Sequence, residues 1–127
     1  SGPLTYNTQY YILLSSISRT FVESVSFSRK IDAKGSGALL QIQTELLKNL
    51  GAGAVIQGTG GLRKARIADE NRGKGKRGGY RVIYLDMPAV ARTHLLLLYD
   101  KNEKADLSPD EKRILKGIVE KIKKEAR

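Results

Sequence analysis

Cysteine is absent from the 127 residues, which excludes disulfides and cysteine-based metal or redox chemistry. Histidine occurs once, as His94, and a single imidazole does not build a zinc site. Long apolar runs are missing too. The longest aliphatic run is Leu95–Leu98, against the roughly 20 residues needed to span a bilayer. The hydrophobic patch Tyr10–Leu14 has no basic residue before it and no convincing cleavage site, so it is not read as a signal peptide. A cytoplasmic protein without a membrane partner is expected.

What the chain does have is positive charge in one place. The formal net charge is +10, and 40% of the residues are hydrophobic, an ordinary value for a globular chain. Residues 60–81 carry eight cations (Arg63, Lys64, Arg66, Arg72, Lys74, Lys76, Arg77 and Arg81) against Asp69 and Glu70, a net +6. The segments on either side carry +2 each. A mixed, solvated surface spreads its charge; concentration in about a sixth of the chain implies a polyanionic partner.

The pattern along the chain is α+β. Arg19–Ser24 has a β-branched and aromatic centre and reads as a short strand, followed by a short helical stretch around Ser26–Ala33. Leu39, Ile42, Leu46 and Leu50 recur at helical spacing, giving an amphipathic helix over roughly 37–50 that the Gly51–Gly53 segment ends. Gly61–Ala68 and Gly79–Asp86 read as strands joined by the charged glycine loop in a long hairpin. Arg92–Tyr99 is a further strand, its four leucines implying cover on both faces or nearly so. Ser108, Pro109 and Glu111 form a capping box with proline in the first turn, starting a helix that runs to about Glu125. Together these predict an antiparallel sheet of about four strands with helices on one face.

Strand alternation sorts the cations. Ala65 and Ile67 are the natural core-facing pair of Gly61–Ala68, so Lys64 and Arg66 project together from the opposite face. A hairpin partner brings Arg81 to the same surface. Three like charges on one sheet face contribute nothing to stability without an anion, which favours a functional reading. The loop between the strands adds Lys74, Lys76 and Arg77 among glycines that let a phosphodiester backbone approach closely. It is not a P-loop, since the G-x4-G-K-[ST] spacing is absent. A solubilising hairpin tip is the plainer alternative.

Such residue types permit RNA cleavage. Attack of a ribose 2′-hydroxyl on the adjacent phosphate builds negative charge on the phosphorane oxygens, and each preorganised cation aimed there contributes roughly 10²–10³ in rate. A base is needed as well. Lys64 and Lys101, crowded by like charges, are the candidates. Tyr99 is a candidate proton donor or acceptor, or a stacking surface for a base. His94, Tyr80 and Tyr84 read as ordinary strand residues, and the run Asp100–Lys104 as a turn beside the cation face.

Three motifs then occur in order: "VIQGTGGLRKARIA", "GKGKRGGYRVIY" and "LLLLYDKNEKADLSPDEK". Together they resemble the HigB-type branch of the RelE superfamily of bacterial type II toxins, over roughly residues 19–125. The resemblance implies a compact RelE-like fold: a twisted antiparallel sheet of about four strands packed against two N-terminal helices, plus a C-terminal helix. It also implies a metal-independent, ribosome-dependent endoribonuclease that uses no cofactor, cuts translated mRNA in the 30S A site and inhibits protein synthesis. Its partners would be that mRNA, a cognate helix-turn-helix antitoxin and, only through the antitoxin, operator DNA.

Carried over by position, the family's basic active-site residues fall on Lys64 and Arg66, and Arg81 matches a phosphate-contacting arginine. Lys101 and Lys104 occupy the region where relatives place another catalytic cation. Arg63, Lys74, Lys76 and Arg77 are expected to position RNA. Some relatives carry a tyrosine in the C-terminal helix, whereas residues 108–127 contain no aromatic, so Tyr99 stands as the substitute acid. Residues 1–18 precede the usual family start and are expected to be a natural extension, an expression remnant or a segment over the sheet, leaving 19–127 as one toxin domain. The rivals to a nuclease are a non-enzymatic RNA- or ribosome-binding module and a catalytically silent toxin homologue that acts through antitoxin and operator.

Overall fold

The computed structural model describes residues 6–14, 17–35, 37–68, 79–100, 103 and 106–126. Its elements, in chain order, are β1 (Tyr6–Leu14), β2 (Ile17–Ser24), α1 (Val25–Asp32), α2 (Ala38–Lys48), β3 (Ala54–Val55), β4 (Arg63–Ile67), β5 (Tyr80–Met87), a short 3-10 turn (Pro88–Val90), β6 (Arg92–Asp100) and α3 (Pro109–Glu125). The strands form one sheet in the order β1-β2-β6-β5-β4-β3. The expected α+β class stands, and every strand and helix read from sequence is present.

Two additions extend the sheet beyond about four strands. Tyr6–Leu14 pairs antiparallel with β2 and forms one edge, and Ala54–Val55 pairs with β4 to form the other. One internal pair departs from the antiparallel expectation: β2 runs parallel to β6, with Val22 beside His94 and Phe21 beside Thr93. Both helices that follow β2 lie between it and its parallel neighbour in sequence, the kind of long connection a parallel pair requires.

The helices also divide between the two faces of the sheet, not one. Phe27 and Ile31 of α1 and Ile42 and Leu46 of α2 bury against Phe21, Ala65, Val82, Tyr84, Leu95 and Leu98. On the opposite face Leu115, Val119 and Ile122 of α3 cover Leu62, Ile83, Leu85, Leu96 and Tyr99. The leucine run of β6 therefore feeds both cores, Leu95 and Leu98 into one and Leu96 into the other. A register shift between Ile83 and Tyr84 accompanies that change of step.

Local chemistry fixes where the helices begin. Ser24 caps α1 by accepting from the Phe27 amide at 3.0 Å, while its hydroxyl donates to the Leu96 carbonyl at 2.7 Å, tying the helix start to β6. Ser108 and Glu111 form the reciprocal box expected of α3, at 3.1 Å and 2.8 Å. This cap holds Asp106 and Leu107, which immediately precede it, against the sheet face that carries the cations.

Candidate active site

The register of the sheet assembles the site. Arg66 of β4 lies opposite Arg81 of β5, and Lys64 opposite Ile83. On its other side Arg81 lies opposite Tyr99 of β6. Residues directly opposite in a ladder project to one face. Arg66, Arg81 and Tyr99 thus form a row across three strands on the α3 side, with Lys64 two positions along β4. Ala65 and Ile67 point the other way, into the α1/α2 core, as alternation requires.

The cations differ in setting. Arg66 is exposed. Arg81 is 8% exposed and its Nη1 donates to the Tyr80 carbonyl at 3.3 Å. The Lys64 ammonium stands 3.1 Å from Oδ1 of Asp106, whose side chain is 80% exposed. A pair so open to water is weak and easily rearranged. In the sequence Asp106 reads only as a polar residue before the α3 cap.

Beside the row opens a cavity of about 210 Å³. It is lined by Ala54, Val55, Ile56 and Gln57, from β3 and the residues after it, and by Asp106, Leu107 and Lys112, around the start of α3. Lys64 and Tyr99 complete the lining. Burial, foremost, holds the Tyr99 hydroxyl above the ordinary phenol range, with Asp106 adding to the effect and Arg81 opposing it. The group is therefore a neutral O–H at physiological pH.

Neighbouring residues have structural work. Tyr80 and Tyr84 are buried in the α1/α2 core. The Tyr84 hydroxyl donates to the Ala52 carbonyl, and burial pushes its pKa up to about 12. Arg63 turns away from the row. Its Nη1 donates to the carbonyls of Gly51 at 3.2 Å and Gly53 at 2.9 Å, fastening the α2–β3 loop. Lys34, just past α1, pairs with Asp100 at the end of β6, and Lys30 of α1 with Glu103. The Asp100 amide, first, and then Lys30 hold the Glu103 carboxyl below the usual carboxylate range. Lys101 and Lys104, and Lys74, Lys76 and Arg77, lie outside the described residues.

A model for the RelE toxin of the RelE / RelB toxin-antitoxin system matches residues 32–127, about three quarters of the chain. The chain belongs to the RelE toxin family. Membership makes it the toxin of a toxin–antitoxin system and implies an antitoxin partner. No helix among the described residues of this RelE-family chain is long and apolar enough to cross a membrane. None of its described His, Asp and Glu residues gather in groups of three or more that could hold a metal ion.

Proposed function

We propose that this RelE-family toxin is a ribosome-dependent endoribonuclease that cleaves translated mRNA and so inhibits protein synthesis. One observation carries the reading: Lys64, Arg66, Arg81 and Tyr99 share a single sheet face beside a cavity. Cations gathered on one surface suit a phosphate, and a phenol O–H beside them is a donor placed on the same face.

In this mechanism the 2′-hydroxyl attacks the adjacent phosphorus and the bond to the 5′-oxygen breaks, leaving a 2′,3′-cyclic phosphate and a 5′-hydroxyl. Arg66 and Arg81 stabilise the charge that develops on the phosphorane oxygens, joined by Lys64 when Lys101 is the base. Tyr99 gives its proton to the departing 5′-oxygen. Lys64 and Lys101 are the candidates for removing the proton from the attacking hydroxyl, and Lys104 adds positive charge. Lys74, Lys76 and Arg77 hold the RNA and ribosome, and Arg63 acts by keeping the α2–β3 loop in place. No metal or cofactor takes part. Residues 19–127 form the toxin domain, cytoplasmic, with β1 as an added edge strand. A helix-turn-helix antitoxin of the kind the HigB branch pairs with silences the protein and links it to operator DNA.

The test is a purified translation system with mRNA ends mapped before and after addition of the protein. Codon-positioned cuts bearing 5′-hydroxyl ends are expected, with cleavage lowered more than about tenfold in Arg81→Ala while ribosome binding stays nearly intact. Tight ribosome binding with messages left whole would instead make the protein a binding module. Messages left whole without ribosome binding would leave only antitoxin and operator.

A further inference from the structure

The cavity between the β3 edge and the start of α3 has a composition that phosphate binding alone does not explain. Val55, Ile56 and Leu107 give it aliphatic walls and Tyr99 an aromatic one. Val55 is 51% exposed, one of few large aliphatic side chains left open to water among the described residues. Gln57 and Asp106 place an amide and a carboxylate in the lining. Apolar walls with a few converging polar groups are the usual make-up of a small-molecule site. At about 210 Å³ the space is below the ~300 Å³ at which pockets for drug-sized ligands begin, so it suits a single planar unit.

We infer that this cavity is a nucleobase subsite that selects guanine. The inference rests on the ribonuclease reading only for its consequence, codon choice; binding itself does not depend on cleavage. A flat ring enters between the Val55–Ile56 wall and Leu107, with its sugar-phosphate directed to Lys64 and Lys112. The Asp106 carboxylate is an acceptor only, with room for several hydrogen bonds, and its contact with Lys64 through Oδ1 does not exhaust it. Guanine alone presents two adjacent donors, N1–H and the N2 amino group, that match the two oxygens of a carboxylate. Adenine and cytosine set one amino donor next to a ring-nitrogen lone pair that the carboxylate repels. Uracil flanks its one N–H with two carbonyls. Gln57, able to donate and accept, serves the guanine O6 edge.

The experiment titrates the purified full chain with the 3′-monophosphates of guanosine, adenosine, cytidine and uridine. In parallel, cleavage sites are mapped in a translation system for wild type, Asp106→Asn and Gln57→Ala. Guanosine 3′-monophosphate is expected to bind about tenfold more tightly than the other three, a preference that Asp106→Asn reduces to about threefold or less. Cleavage sites of wild type are expected to be enriched in guanine at one fixed position, and the enrichment to fade in Asp106→Asn. Equal binding of all four nucleotides, or a preference for guanosine that Asp106→Asn leaves intact, overturns the inference. Cleavage by wild type without any guanine enrichment overturns it as well, and spares the ribonuclease reading. Guanosine-selective binding that needs Asp106, in a protein that cuts no message, sinks the ribonuclease reading and upholds the subsite. Circular dichroism confirms folding of each variant, a mild requirement for a side chain as exposed as Asp106.

Discussion

Arg66 and Arg81 stand directly opposite each other on adjacent antiparallel strands, two guanidinium groups on one sheet face. Like charges in that position destabilise a sheet by roughly 0.2–1 kcal/mol. Replacing the exposed member should therefore relieve the fold and harm the activity. For Arg66→Ala we expect an unfolding midpoint in urea unchanged or raised and cleavage reduced about tenfold or more. A variant less stable than wild type yet fully active would mean that Arg66 serves the fold and that the row is not the reaction site.

Arg63 is one residue away in sequence and has the opposite expectation. Its Nη1 is engaged by two loop carbonyls, at 3.2 Å and 2.9 Å, on the other side of the strand. Arg63→Ala should lower stability by about 1 kcal/mol, since hydrogen bonds to a charged group are worth somewhat more than neutral ones but these are exposed. The dependence of ribosome binding on salt should keep its slope. A shallower slope with unchanged stability would return Arg63 to the RNA-contacting set.

The contrast between these two arginines marks where the sequence is legible. Alternation along Arg63–Ile67 separates Lys64 and Arg66 from Ala65 and Ile67 because a strand has a period of two and one face is apolar. The same rule cannot foresee Arg63 bending back to Gly51 and Gly53, since those partners come from a loop with no period. Asp106 escaped notice for a related reason: its meeting with Lys64 spans 42 positions and depends on how α3 docks. The two-residue strand β3 offers no periodic signal at all. The parallel β2–β6 pair was hidden because strand patterns do not encode direction. The capping box of α3 was readable to the residue, being chemistry contained within four positions.

Gly53 ties that illegible edge to the site. Its φ is +83, and an ideal Cβ there would fall 2.0 Å from the Lys64 carbonyl oxygen. Gly35, at φ +94, has nothing within 4 Å of the same atom and serves as the control. Both alanine variants suffer the cost of a left-handed backbone, about 1 kcal/mol or more. Only Gly53→Ala must also push β3 off β4, so its stability should fall further, with cleavage lost through displacement of the cavity wall. Equal destabilisation of the two variants in urea unfolding would show that the close approach has no energetic weight.

His94 sets the response to acid. It is 2% exposed and lies between Val22 and Leu85 on the neighbouring strands. Burial, and secondarily Arg92, lower its pKa to about 4, against an ordinary imidazole value of 6.5. The unfolded chain therefore takes up this proton first as pH falls. Stability from the neutral imidazole is complete above about pH 6.5 and declines progressively towards pH 4, by a total of order 3 kcal/mol. Glu23 works against this: burial raises its carboxyl pKa above the ordinary 4.5, so acidification through that range relieves a cost in the folded state. The two are separable by variant. His94→Leu should flatten the fall in stability between pH 6.5 and 4 measured by urea unfolding, leaving the opposite slope of Glu23 exposed. If the slope of His94→Leu matches that of wild type, the imidazole is already protonated in the folded protein and its burial among apolar neighbours does not control acid sensitivity.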